Sequence, residues 1–166
     1  MAQTNIYLKL GDIKGESLDE NHGEWIELDT FAWSVDNQAN FAQGQGGQAT
    51  QSKTHGISMT KTCDRSSVTL WQDCTTGKHI ANGRIECLKL DGEKRVPYLK
   101  IDLTDVMVKG IKWSGVGSES VMKEDVELVF AEFKQQYLLQ SDLGNSQGGV
   151  QFEYNIQTSR AVSHGT

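Results

Sequence analysis

The chain has 166 residues, 16 Lys and Arg against 22 Asp and Glu, a net charge of −6 and a sequence pI near 5.2. That length fits one domain with a sizeable core, and the acidic balance without a basic cluster argues against nucleic-acid binding. No basic leader opens the sequence, no apolar run approaches the roughly 20 residues of a membrane helix, and three cysteines (Cys63, Cys74, Cys87) without paired spacing exclude a disulfide framework.

In chain order, Ile6, Leu8 and Leu10 alternate with Tyr7 and Lys9, which predicts a first strand ending at Gly11-Asp12. The polar stretch to Gly23 reads as a loop. A second strand begins at Trp25; Ile26 and Leu28 share one parity, while Phe31, Trp33 and Val35 share the other. The slip at Asp29-Thr30 is what a β-bulge produces in one bent strand, and it points to a barrel or strongly coiled sheet. Residues 36–55 form a Gln- and Gly-rich loop with few apolar side chains, too polar to order itself by burial. Gly56 to Thr62 is a strand with Ile57 and Met59 on one face.

A helix of about ten residues follows. Asp64 is its candidate N-cap, Val68, Leu70, Trp71 and Cys74 form its apolar side, and Gly77 is the αL C-cap, with Lys78 and His79 near the negative end. After Asn82-Gly83, a strand from Arg84 to Leu90 reaches the hairpin signal Asp91-Gly92. Val96 to Val108 alternates, Pro97 stands at its start, and Gly110 marks a bend or bulge before Ile111 and Trp113. Residues 124–140 support two readings. Val126, Val129, Phe130, Phe133 and Tyr137 form a helical stripe, which wins on periodicity alone, whereas Val126, Leu128 and Phe130 also alternate as in a strand. Val150, Phe152, Tyr154 and Ile156 define a last strand.

No constellation calls for catalysis. Cys74 and His79 lack a third orienting residue. Cys63, Cys74, His79 and Cys87 lack the tight pairs of a zinc motif. Asp102 and Asp105 fall on opposite parities of one strand, so they do not converge as glycosidase carboxylates must. Gly44-Gln45-Gly46-Gly47 lacks the Lys-Ser/Thr of a phosphate loop. Neither a cofactor nor a metal is expected. The four tryptophans suit core packing better than a sugar platform.

Several segments, in order, resemble one family. Ile6-Tyr7-Leu8-Lys9-Leu10 runs into Gly15-Glu16-Ser17; Trp25-Ile26-Glu27-Leu28 precedes Phe31-Ala32-Trp33-Ser34-Val35; Lys61 and Asp64-Arg65-Ser66-Ser67 precede Cys74-Thr75-Thr76-Gly77-Lys78-His79-Ile80. Tyr98 to Val106 and the strand near Glu124-Asp125-Val126 complete the pattern, which is similar to that of the Hcp (haemolysin-coregulated protein) family. The resemblance implies a single mainly β domain over residues 1–166, a small barrel of two curved antiparallel sheets with one flanking α-helix, and a strand through about Phe133.

It further implies a non-catalytic subunit of the type VI secretion inner tube. Hexameric rings stack, a VgrG spike and contractile sheath are partners, and small effectors ride in the lumen. No nucleic acid or membrane insertion is involved. The protein would be made in the bacterial cytoplasm and exported without a signal peptide to the extracellular space or a target cell. Phe41, Gln43, Gln45 and Thr54 of the polar loop are the expected ring-stacking residues, and Lys78 and His79 match the family turn without an assigned role. The alternatives are a phage tail-tube-like protein and a stand-alone sugar-binding β-barrel module.

Overall fold

Alternation of apolar and polar side chains organises most of the chain into strands, and the computed structural model describes residues 5–39, 51–140 and 146–161. In order these are β1 (Ile6–Leu10), β2 (Ile26–Leu28), β3 (Thr30–Ala32), β4 (Val35–Asp36), β5 (Lys53–Thr54), β6 (Ile57–Thr62), helix α1 (Ser67–Thr76), β7 (Ile80–Asp91), β8 (Lys94–Ser114), β9 (Lys123–Gln140), β10 (Ser146–Asn155) and β11 (Arg160–Ala161). The mainly β composition with one helix among the described residues follows the sequence pattern.

Nine strands form one antiparallel sheet with the path β11-β10-β9-β8-β7-β1-β2, and β4 and β5 form a separate two-stranded ribbon. The expected barrel of two curved sheets is not formed. Strand β9 gives its second edge to two partners: residues 123–128 pair with β6, and residues 132–140 pair with β10. The sheet therefore forks, with β3 continuing beyond β6, and among the described residues no ladder joins its ends. The phase slip at Asp29 is a strand break and not a bulge within one strand. Before it β2 pairs with β1, after it β3 pairs with β6, and the Asp29 N–H donates to the Thr60 carbonyl at 2.8 Å.

The core collects the inward parity of each strand: Leu8 and Leu10, Ile26 and Leu28, Ile57 and Met59, Ile85, Ile101 and Leu103, Val126 and Leu128, with Leu70 from α1. Each such side chain contributes about 1.5–3 kcal/mol of burial free energy. The inward parity of the long β8–β9 ladder changes midway. Leu103 pairs with Phe133 and Val106 with Phe130, all four buried, three positions apart on each strand. Asp105, between them, has φ 52°, a left-handed conformation that Asp tolerates better than most residues.

Several local expectations are met and others corrected. Strand β9 is extended throughout residues 123–140, so the helical stripe loses; cross-strand packing against β8 on one side and β6 and β10 on the other outweighs propensity. Asn82-Gly83 lies inside β7 and not before it. Pro97 sits opposite Leu88 where the β7–β8 register shifts, and the second shift falls at Gly110 as expected. Gly77 is left-handed, φ 65°, and ends α1.

Asp64 does not cap α1 directly. Ser66 occupies the N-cap, and the Asp64 carboxylate instead accepts from the Ser66 N–H and hydroxyl and from Lys61. The buried side of α1 is Ser67, Leu70 and Asp73, while Val68 is exposed. Trp71 (43% exposed) and Trp113 (38%) are not core residues either; their rings lean together at the surface, 4.7 Å between centroids.

Candidate assembly surface

The root of the polar loop is built on an aromatic base. Val35 pairs with Thr54 and Asp36 with Lys53 in the β4–β5 ribbon. The ribbon is tied down by the His55 N–H to Ser34 carbonyl bond (3.0 Å), and the Trp33 indole N–H donates to the His55 carbonyl at 3.0 Å. Under it, Trp33 meets Phe133 edge-on at 4.8 Å, and Phe133 meets Phe152 and Tyr154 of β10, each at 5.9 Å. Between ribbon and base lies an apolar cleft of about 250 Å³ lined by Trp33, Val35, Thr54, Phe133, Phe152 and Tyr154. On the returning limb, the Gln51 amide donates to the Ser159 hydroxyl at 2.6 Å.

Thr54, half-buried, is therefore a wall of this cleft. Phe41, Gln43 and Gln45 lie outside the described residues. Beside the cleft, Val35, Val150 (69% exposed) and Phe152 (47%) leave apolar surface uncovered. Strand β10 adds an open edge: among the described residues β11 pairs only with Tyr154 and Asn155, and the outer edge of Ser146–Phe152 carries no ladder. Uncovered apolar side chains beside an unpaired edge are an invitation to another chain.

Lys78 and His79 are placed elsewhere, in a polar groove at the junction of α1 and β7 that also takes in Lys9, Lys14 and Arg65. His79 Nδ1 lies 2.7 Å from the Asp105 carboxylate, so the family turn holds the left-handed residue at which the β8–β9 ladder changes face. That bond goes to Asp105 and forms no Cys74–His79 catalytic pair.

A family model described as "Type VI secretion system effector, Hcp" matches residues 7–137. The chain belongs to the Hcp family. Protein hcp1 of Pseudomonas aeruginosa is 34% identical over 156 residues, covering 92% of this chain and 95% of that protein. Among solved structures, one described as a type six secretion system protein superposes with TM-score 0.88 at 25% identity, covering 96% of this chain and 99% of the other. Hcp1 from Salmonella typhimurium gives TM-score 0.77 at 27% identity, covering 95% and 97%. As an Hcp-family member, the chain is a secreted structural subunit of the type VI secretion tube and not an enzyme.

Among the described residues no group of three or more His, Cys, Asp or Glu could hold a metal ion. The three cysteines are free, and burial pushes the Cys87 thiol up to about 11, far from a reactive thiolate at neutral pH. No described helix is long and apolar enough to cross a membrane.

Two buried ionic networks escaped the sequence reading. The first joins β6, β9 and α1. Lys61 and Glu124, both fully buried, pair at 2.6 Å; Lys61 also donates to Asp64, and the Ser67 hydroxyl donates to Glu124. The second pins the loop between β1 and β2. The His22 ring stacks on Tyr7 at 4.6 Å, and its two nitrogens lie 2.7 Å from Asp19 and from Glu86. Arg95 binds the other Asp19 oxygen and the Tyr7 hydroxyl, each at 3.0 Å. Burial alone would raise the Asp19 carboxyl, but hydrogen bonds from His22 and the Asn21 N–H and the charge of Arg95 hold it below the ordinary carboxylate range.

The family's Gly-Glu-Ser turn has its reason in the same loop. A side chain on Gly15 would collide with the Trp25 carbonyl, because Gly15 bonds backbone to backbone with Glu24.

Proposed function

We propose that this tube subunit closes into hexameric rings through the open edge of β10 and its uncovered apolar neighbours, and that the 36–55 loop stacks one ring on the next. The supporting observation is the juxtaposition of an unpaired strand edge with the apolar base from which the loop springs. A ring requires a head-to-tail contact whose rotation closes, and an edge strand answered by a different surface is such a contact. The Gln- and Gly-rich composition of the loop suits a segment that gains order against a neighbour and lets go again, since uncharged polar groups pair without desolvated ions. Phe41, Gln43, Gln45 and Thr54 are the residues assigned to stacking. In this reading the tube is tipped by the VgrG spike, driven by the contractile sheath, and carries small effectors in its lumen. The subunit leaves the cytoplasm by this route for the extracellular space or a target cell, without a cleaved signal.

The test keeps the β4–β5 ribbon and replaces residues 37–52 with a short Gly-Ser linker. Purified variant is expected to retain ring particles of about 110 kDa, six copies of the 18.4 kDa chain, while stacked tubes disappear from negative-stain images. Tubes as abundant as those of the unaltered protein would refute the stacking role. A monodisperse 18.4 kDa species for the unaltered chain would refute the ring.

A further inference from the structure

Asp73 is out of place in electrostatic terms. It lies in the last turns of α1, where the helix dipole presents negative charge, and a carboxylate there is disfavoured. It is 97% buried (3% exposed), and its Oδ2 has no hydrogen-bond partner; the nearest ion-pair partner, Lys78, stands 3.9 Å from the other oxygen. An orphaned buried carboxylate oxygen is costly unless something donates to it. Asp73 lines the polar groove at the α1–β7 junction, about 780 Å³ in volume, within the range of roughly 300–1,000 Å³ typical of ligand clefts.

The same groove gathers Lys9, Lys14, Arg65 and Lys78 against the carboxylates of Asp12 and Asp73. Four of the chain's sixteen Lys and Arg residues thus converge on one groove of a protein whose net charge is −6. None of these cations is locked. Lys14 and Arg65 share Glu24 in pairs more than half exposed, and Lys9 lies 6.0 Å from the Trp25 ring centre. Exposed pairs of this kind are worth little and exchange readily for a better anion.

We infer that this groove binds an extended acidic peptide segment of a partner protein. Its carboxylates meet Lys9, Lys14, Arg65 and Lys78, and the buried Asp73 side chain turns toward the groove to accept one of its backbone N–H groups at Oδ2. A neutral donor suits Asp73, because a cationic one would be repelled by the surrounding ammonium and guanidinium groups. An acidic glycan fits less well, since among the described residues the groove is lined by no Trp, Tyr or Phe ring for a sugar to stack on, and its one aromatic side chain, His79, is engaged by Asp105. Nucleic acid is disfavoured by the chain's overall negative charge. The assignment rests on the groove's own chemistry and does not depend on ring formation.

The test is fluorescence anisotropy with a fluorescein-labelled, end-blocked peptide of alternating glycine and glutamate, set against its glycine–lysine counterpart. The acidic peptide is expected to bind, more weakly as salt rises, and the basic one not to bind. Reversing two rim charges (Arg65→Glu with Lys78→Glu) is expected to weaken binding at least ~10-fold. Asp73→Leu removes the acceptor and is expected to weaken it about 10-fold, whereas Asp73→Asn keeps an acceptor and retains affinity. Circular dichroism melts of each variant separate lost binding from lost fold, and Lys9→Gln and Lys14→Gln serve if the reversal unfolds. Absence of binding, equal binding by the charge-reversed protein, preference for the basic peptide, or full displacement by sulfate at matched ionic strength would each overturn the proposal.

Discussion

Lys61 continues the inward parity of Ile57 and Met59, and Glu124 that of Val126 and Leu128, so two strands deliver opposite charges to one buried point. Removing one partner leaves the other unpaired in the core, and Lys61→Met is expected to cost about 3–5 kcal/mol in urea unfolding. The double variant Lys61→Met/Glu124→Leu is expected to be more stable than either single; additive losses would show that the two charges do not compensate each other. Asp19 makes a prediction in pH. Its folded carboxyl titrates below the reference value of 3.8, so its contribution is complete above that pH and is lost as pH falls through the folded value. Asp19→Asn should be destabilised at neutral pH, and the gap to the unaltered protein should close in acid. A gap of constant size down to the acid transition would contradict this.

At the scale of elements, Asp105 combines a left-handed backbone with a hydrogen bond from His79, at the point where β8 and β9 exchange inward parity. Asp105→Ala is expected to lose about 1–2 kcal/mol, Asp105→Gly less, and His79→Ala only tenths, because the pair is exposed; thermal melts at one protein concentration would rank them. A ranking with His79→Ala worst would place the value of the turn in the ion pair and not in the backbone. This element also shows what could be read from the chain. β1, β6 and β10, each with a simple alternation, were legible, as were Gly77 and the shift at Gly110. Strand β9 was not legible from periodicity alone, because its apolar residues follow two inward parities joined at Ala131 and the sum imitates a helical stripe; the family resemblance implied its strand through about Phe133, and the strand is there. The break at Asp29 looked like a bulge because apolar spacing records the change of face but not the change of partner strand. Thr54 was singled out by composition. Its cleft depends on Phe133, Phe152 and Tyr154, brought there by ladders about eighty to a hundred residues away in sequence.

For the whole molecule, the forked sheet leaves the protein with two unlike surfaces beyond the core. One is the open edge of β10 beside the apolar cleft, and the other is the charged groove flanked by α1. Rings and stacks draw on the first in the function proposed above; the second faces partners of acidic character. Trp71 of α1 and Trp113 of β8 mark the outer face of the helix. Two indoles with centres 4.7 Å apart couple their electronic transitions, so the circular dichroism spectrum should carry a paired positive and negative band from this one spot. Trp113→Phe should erase the pair while leaving the backbone signal intact, and a spectrum unchanged by that substitution would mean the rings do not couple. Because both rings are partly open to water, any protein that settles on this face will shift their emission, and the chain thus carries its own optical gauge of what touches its helix.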